Sequence, residues 1–307
     1  MNQLLTLTEI LSRHATQDGT HRCLLPRVKL IRSSTPTMPM PVIYEPTLCL
    51  VAQGRKRAAL GTTAFIYDPS NYLIASVDLP VMGSVIEATV DRPYLCLQID
   101  LDMTTLGELA IHHPPAHSDA RSFPVGLALN RTTPALLDAA MRLVRLLDTP
   151  EDIEALAPLM IREILYRLIT GASGATIRQM ARADSRLNQI ARAIVWIRTH
   201  FRDICPIEQA AEIAGMSRST FHAHFKAITS MSPLEFRTHL RMQEAQRLMV
   251  SGAMDAASAG FNVGYGSPSQ FSRDYARLFG MPPARHASRL RDTDENGPIG
   301  REMEIAS

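Results

Sequence analysis

In the stretch Val263-Gly-Tyr-Gly-Ser-Pro-Ser-Gln-Phe-Ser-Arg-Asp-Tyr-Ala-Arg-Leu-Phe-Gly280, the large apolar residues Phe271, Tyr275, Leu278 and Phe279 recur at helical spacing. They define one buried face. The other face is left with Ser269, Gln270, Ser272, Arg273 and Arg277. Hydroxyls, an amide and guanidinium groups projecting together can hydrogen-bond base edges and phosphates. Arg273 is the candidate for a bidentate contact to guanine, with Ser269 and Ser272 meeting neighbouring base edges. Arg277, a turn later, is placed for phosphate.

The same device occurs earlier in the chain. Ile207, Ala210, Ala211 and Ala214 form the inner face of a short helix, Gly215-Met216 the turn, and Ser217 the N-cap of a helix that points Phe221 and Phe225 inward. In the later copy Asp255 caps a helix containing Ala256, Ala257 and Ala259. Gly264-Tyr265 makes the turn, Ser267 caps, and Phe271 and Tyr275 point inward. Small residues let two helices approach closely, and glycine admits a left-handed turn. This is the helix-turn-helix, whose second helix suits a major groove. On the first reader the outward residues are Arg218, Ser219, His222 and Ala223, with Lys226 toward the backbone. The helix starts at Ser217 and Ser267 offer free amides to phosphate oxygens.

Residues from Pro233 to Met249 read as one long helix with Phe236, Leu240, Ala245 and Leu248 inward. Its length, roughly 25 Å, is that of a rigid spacer between the readers. Successive major-groove faces lie about 34 Å apart, so both readers could enter one side of a duplex.

Charge is divided along the chain. Arg182 to Arg291 holds 15 basic and 8 acidic residues, while the remainder holds 17 basic and 22 acidic. Only the C-terminal part is built to meet a polyanion.

The 307 residues, 46% hydrophobic and 20% charged, allow two ordinary folded domains. The N-terminal MNQLLTLTEILSRHAT reads as a short amphipathic helix rather than a signal peptide, and no apolar run is long enough for a membrane span. A cytoplasmic protein without a membrane partner is expected. Between residues 22 and 105, short apolar runs such as Leu48-Cys-Leu-Val-Ala and Tyr94-Leu-Cys-Leu-Gln-Ile alternate with turn residues. They predict an antiparallel sandwich or small barrel. Helices follow from Thr133-Pro134 and from Thr149-Pro150, ending near residue 170, and Gly171-Ala-Ser-Gly174 reads as a flexible joint. Those helices could close the open side of the barrel or pair with a second subunit. Cys23, Cys49, Cys96 and Cys205 are scattered, and Cys49 and Cys96 lie in apolar runs, as buried inert thiols do.

The region from about Leu187 to Arg291 resembles the DNA-binding domain of AraC-family transcriptional regulators. The likeness rests on Ala214-Gly-Met-Ser-Arg-Ser-Thr-Phe, Met231-Ser-Pro-Leu-Glu-Phe, Glu244-Ala-Gln-Arg-Leu, Val263-Gly-Tyr-Gly-Ser-Pro-Ser-Gln-Phe-Ser-Arg and Phe279-Gly-Met-Pro-Pro. Tyr44-Glu-Pro-Thr-Leu-Cys-Leu-Val-Ala-Gln-Gly-Arg-Lys, Val77-Asp-Leu-Pro-Val and Arg92-Pro-Tyr-Leu-Cys-Leu are similar to an N-terminal domain of one branch of that family. The resemblance implies an α+β chain with a cupin-like β-barrel and flanking helices over 1–180, the barrel at 22–105 and the helices at 133–170. An all-α domain over 185–291 would follow, with two helix-turn-helix motifs joined by a long helix, and then a disordered tail over 292–307. It further implies control of transcription, a homodimer, double-stranded operator DNA and RNA polymerase as partners, and a small-molecule effector. Tyr44, Gln53 and Lys56 are candidates for the effector pocket's mouth, although Gln53 to Arg57 also reads as a charged hairpin.

Three residues depart from the family pattern: Ala223 stands where arginine is usual, Gly260 where alanine is usual and Gly266 where an acid is usual. The first either weakens base contact there or passes it to His222. The second should cost up to about 1 kcal/mol of helix stability. Two alternatives remain. In one, the first domain only dimerises and senses nothing. In the other, a cupin-type metal enzyme, the chain lacks the required histidines, since none lies between residues 22 and 102 and the cluster His112-His113-Pro-Pro-Ala-His117 follows the strands. No metal, cofactor or catalytic set is expected.

Overall fold

A computed structural model describes residues 3–114, 126–203 and 206–295. The chain divides into two compact units, the first covering the described residues up to Gln189. The second covers those from Ile190 on, except Ala227–Ser230, which group with the first.

The first unit opens with α1 (Gln3–His14), which buries Leu7, Ile10 and Leu11 along one stripe. Nine strands follow: β1 (Gly19–Arg22), β2 (Val28–Ser33), β3 (Met40–Tyr44), β4 (Thr47–Gln53), β5 (Arg55–Leu60), β6 (Thr63–Tyr67), β7 (Asn71–Ala75), β8 (Leu79–Glu87) and β9 (Tyr94–Asp100). After α2 (Met103–His112) comes β10 (Leu127–Arg131), then α3 (Pro134–Arg145), α4 (Ile153–Thr170) and α5 (Gly174–Ala181).

The strands form two antiparallel sheets, in the orders β1-β2-β9-β4-β7-β10 and β3-β8-β5-β6. The expected barrel is therefore two sheets rather than one closed ring of hydrogen bonds. It also starts before residue 22 and takes β10 from beyond residue 105. Gln53 to Arg57 is not a hairpin. Gly54, at φ 80°, carries the chain from β4 in the larger sheet to β5 in the smaller one. A Cβ there would lie 2.5 Å from the Glu87 carbonyl oxygen, so the crossing requires glycine. β4 is buried at six consecutive residues, which gives it an unbroken apolar run instead of alternation. Helix α1 packs against β4, β9 and α3.

Thr133 caps α3 by accepting from the Leu136 amide at 3.2 Å, with Pro134 in the first turn, as the sequence predicts. Gly171 to Gly174 is not a flexible joint. Ser173 is buried and shares a 2.7 Å hydrogen bond with the Tyr72 hydroxyl, and Gly174 opens α5 with its Cα against the Ile169 carbonyl. Composition suggested slack, but tertiary packing fixes the turn.

The second unit is helical: α6 (Arg186–His200), α7 (Ile207–Ile213), α8 (Arg218–Thr229), α9 (Pro233–Val250), α10 (Ala256–Asn262), α11 (Pro268–Phe279) and α12 (Pro283–Glu295). Helix α12 runs four residues past Arg291, where the tail was expected to begin. No glycine or proline interrupts it before Gly297, so polar composition there marked a helix end rather than a tail. Residues 296–307 of the expected tail lie outside the described residues.

Candidate nucleic-acid interface

Helix α9 organises the second unit. Ser232 and Glu235 form a reciprocal capping box: the Ser232 amide donates to Glu235 Oε2 at 2.7 Å, and the Glu235 amide donates to Ser232 Oγ at 3.3 Å. At 18 residues the helix spans about 27 Å. Phe236, Leu240, Ala245 and Leu248 are buried along it as predicted.

The first reader is α7, a turn at Gly215 and α8. Gly215 has φ 64°, the left-handed conformation anticipated for this turn. Ala210, Ala211 and Ala214 are buried, and Phe221 and Phe225 pack at 5.3 Å with Phe236 of α9 behind them. Ser217 Oγ accepts from the Thr220 amide at 3.4 Å and donates to Thr220 Oγ1 at 2.9 Å, holding the helix start. Arg218, Ser219, Ala223 and Lys226 are exposed. Arg218 lies 3.0 Å from Glu208 with both side chains largely in solvent, a pair worth about 0–1 kcal/mol that a phosphate can displace. His222 is half-buried, with Nε2 shielded and unbonded among the described residues. Its edge is thus partly turned inward, which narrows what it can offer a base.

The second reader is α10, a turn at Gly264 and α11. Asp255 caps α10 by accepting from the Ser258 amide at 2.8 Å. Ser267 stands at the N-cap of α11, but its hydroxyl makes no capping hydrogen bond, so that helix start has unclaimed amides. Phe271 and Tyr275 are fully buried, and Leu278 and Phe279 pack against them part-exposed. Outward stand Ser269, Gln270, Arg273 and Arg277, all exposed or half-exposed, with Ser272 half-buried. Arg273 makes no ion pair among the described residues. Arg277 is held 2.6 Å from Asp274, whose second oxygen accepts from the Tyr265 hydroxyl at 3.2 Å. Within the unit, Tyr275 OH meets His286 Nδ1 at 3.1 Å, and burial lowers the His286 pKa, keeping that ring neutral.

Two positioning residues escaped the sequence reading. Arg241 projects from α9 and donates to the carbonyl oxygens of Phe201 (2.6 Å), Gly264 (3.0 Å), Asp203 (3.1 Å) and Arg202 (3.3 Å). It ties the end of α6 to the second turn. Gly264 sits there at φ 87°, and a Cβ would come within 2.0 Å of the Arg202 oxygen. The second is Gly260, which looked like a weakness of α10. A Cβ at Gly260 would meet Phe271 at 2.8 Å, so its absence lets α11 close on α10. Gly260→Ala is therefore expected to lower stability in a urea melt, opposite in sign to the roughly 1 kcal/mol gain that helix propensity alone gives.

In the first unit the three effector candidates are not brought together. Tyr44 and Lys56 meet between the sheets: Tyr44 OH lies 3.0 Å from Tyr67 OH, and Lys56 Nζ is 5.9 Å from the centroids of both Tyr44 and Tyr94. Burial raises the pKa of all three phenols, so they stay protonated. Gln53 instead donates to the Pro93 carbonyl at 2.8 Å and borders a separate surface cleft beside α1. Tyr67 and Tyr94 were not singled out, although Tyr94 and Cys96 alternate on one strand face. His112 ends α2, and His113 packs edge-on to Tyr166 at 4.9 Å. His117 lies outside the described residues, which hold no cluster of three metal-ligating side chains. None of their helices is long and apolar enough to cross a membrane.

A two-sheet unit followed by a paired helix-turn-helix unit defines a class of regulatory chain. The pattern described as AraC-type transcriptional regulator N-terminus matches residues 24–176, and a helix-turn-helix domain pattern matches residues 210–289. The chain belongs to the AraC family of transcriptional regulators. Over 225 residues it is 22% identical to the HTH-type transcriptional activator RhaS of an Enterobacter species, covering 73% of this chain and 74% of that one. It is 29% identical to the MmsAB operon regulatory protein of Pseudomonas aeruginosa over 96 residues, 31% of each chain. The chain thus spans under a third of that relative's length. Fold similarity extends to ToxT from Vibrio cholerae bound to an unsaturated fatty acid, at TM-score 0.53, 9% identity, and coverage of 85% of this chain and 93% of that one. A ligand-free, lysine-to-alanine variant of ToxT gives TM-score 0.54 at 8% identity, covering 89% and 99%.

Proposed function

We propose that the chain is a sequence-specific DNA-binding regulator whose two readers contact adjacent major-groove segments of one operator. The observation that carries this is the repeated arrangement: two short-helix pairs with left-handed glycine turns, each with aromatic residues inward and polar residues outward, joined by one capped helix. Arg273 is assigned to a guanine edge, Ser269 and Ser272 to neighbouring bases, and Ser219, His222 and Ala223 to the first segment. Arg218, Lys226 and Arg277 are assigned to phosphates, with the amides at Ser267 completing the backbone contacts. Selecting bound fragments from random DNA tests the reading. A single enriched motif with affinity falling steeply with salt supports it, and sequence-independent retention counts against it.

The first unit is proposed to dimerise and to sense a small carboxylic acid. Helix α4 leaves Leu159 62% and Tyr166 39% exposed on one face with Arg162 between them, a mixed surface proposed to meet a second copy, whose paired readers would act together on RNA polymerase. Lys56 among three protonated phenols complements a carboxylate, and the ToxT chain of similar fold is described with an unsaturated fatty acid bound. Carboxylic acids of graded length are expected to raise the melting temperature of the protein, and Lys56→Met is expected to remove the rise. No shift with any of them favours the second reading, in which this unit only assembles the dimer.

A further inference from the structure

Midway along α9, on the spacer and on neither reader, the second unit holds an open cavity of about 290 Å³. Among the described residues it is lined by Arg237 and Arg241 of α9, Arg202 and Asp203 just after α6, and Gly264 of the second turn. Arg237 and Arg241 are four residues apart and so share one face of the helix. Three guanidinium groups thus border one hollow, against the single carboxylate of Asp203. The carbonyl oxygens of Phe201, Arg202, Asp203 and Gly264 hold the Arg241 guanidinium in place, and its Cζ lies 5.7 Å from the Tyr265 ring centroid. Carbonyls carry no formal charge, so these four bonds orient the group and leave its charge as it is. Half-exposed Arg202 donates to Glu244, but Glu244 also accepts from Arg247 at 2.8 and 3.0 Å, so one negative charge is shared between two positive ones. Guanidinium forks gathered at one opening have the chemistry of a phosphate site.

We propose that this hollow takes a backbone phosphate of the operator, in the stretch of duplex between the two groove segments. The inference rests on the paired-reader reading and adds a contact to it. With α8 and α11 in successive major grooves on one face, the minor groove and the phosphates bordering it lie between them, opposite the middle of the spacer. Arg241 stands at that midpoint of the 18-residue helix α9. Gly264 comes three residues before Ser267, whose helix start is assigned to phosphate, so the hollow adjoins that contact within about 10 Å of chain. Arg202 and Arg237 are assigned the bonds to the phosphate oxygens, with the fixed Arg241 as the charge behind them. A phosphate has no base identity, so the contact sets the register of the two readers on the duplex and leaves sequence choice to their side chains.

Ethylation interference on the selected operator is the test, because an ethyl group removes the charge of one phosphate and leaves the bases intact. With the full wild-type chain, ethylation of a phosphate between the two protected segments is expected to prevent binding. Arg202→Gln leaves Glu244 paired with Arg247, so the fold and the selected motif are expected to persist. That variant is expected to lose the interference between the segments and to lower the slope of log affinity against log salt by about one. A merely structural Arg202 would weaken binding without moving either readout. Arg237→Gln repeats the measurement from α9. Two protected segments with no interference between them, or interference unchanged in both variants, would overturn the contact and leave the readers standing. A melting temperature raised by inorganic phosphate above chloride of equal ionic strength, without interference, would give the hollow to a free phosphate and overturn it as well. Failure of the wild type to select any motif would instead fall on the paired readers and end both.

Discussion

Arg273→Ala is expected to weaken binding to the selected operator by about 1–3 kcal/mol, roughly 5- to 150-fold, and to relax base choice at one position. The side chain points outward and makes no ion pair among the described residues, so removing it releases no internal partner and leaves the fold unchanged. Its neighbour supplies the control. Arg277 is 78% exposed and engaged by Asp274, and in its proposed role as a phosphate ligand it would carry no base information. Arg277→Ala is expected to lower affinity evenly across sequences and to reduce the salt slope by about one. Titrations of both variants against the operator and its single-base changes separate the two roles. Equal discrimination in wild-type and Arg273→Ala protein would remove Arg273 from the reading face.

Phe271→Ala is expected to cost about 3–5 kcal/mol of stability, the range for emptying a fully buried aromatic site. Phe271 lies between α10 and the rest of α11, 5.6 Å from the Tyr265 ring and 5.5 Å from the Tyr275 ring, with the Gly260 backbone against it. The inward face of α11 has only Phe271 and Tyr275 fully buried, so no other side chain can take over the contact. Operator affinity should fall with stability, although Phe271 touches no base. A urea melt compares wild type with variant, and a loss under about 1 kcal/mol would mean that the site collapses or that α11 is held elsewhere.

Much of the candidate reading face was legible because its outward orientation follows from periodicity. Phe221, Phe225, Phe271 and Tyr275 fall at helical intervals, and once they point inward, Arg218, Ser219, Ser269 and Arg273 must point outward. Gly215 and Gly264 mark the turns because each adopts a positive φ. Helix α9 was visible from its apolar stripe. What stayed hidden depends on partners remote in sequence. Arg241 binds backbone carbonyls about forty residues before it and twenty-three after, and carbonyls carry no side-chain signature. Gly260 reads as a helix defect until Phe271 is found against it. The split into two sheets was equally invisible, since β4 and β5 are adjacent in sequence yet belong to different sheets. Tyr44 and Lys56 share the smaller sheet and Lys56 meets Tyr94 of the larger one across that gap, whereas Gln53, which comes between Tyr44 and Lys56 in the chain, faces elsewhere. Short turn segments misled in the same way: Ser173 lies in a glycine-flanked run whose order comes from Tyr72.

Hydroxyl-radical footprinting of the full chain on its selected operator tests the paired-reader geometry most directly. Two protected segments per chain, about one helical turn apart on one face of the duplex, are expected, with the segment contacted by α11 fading in Arg273→Ala. A single protected segment, or two on opposite faces, would contradict it.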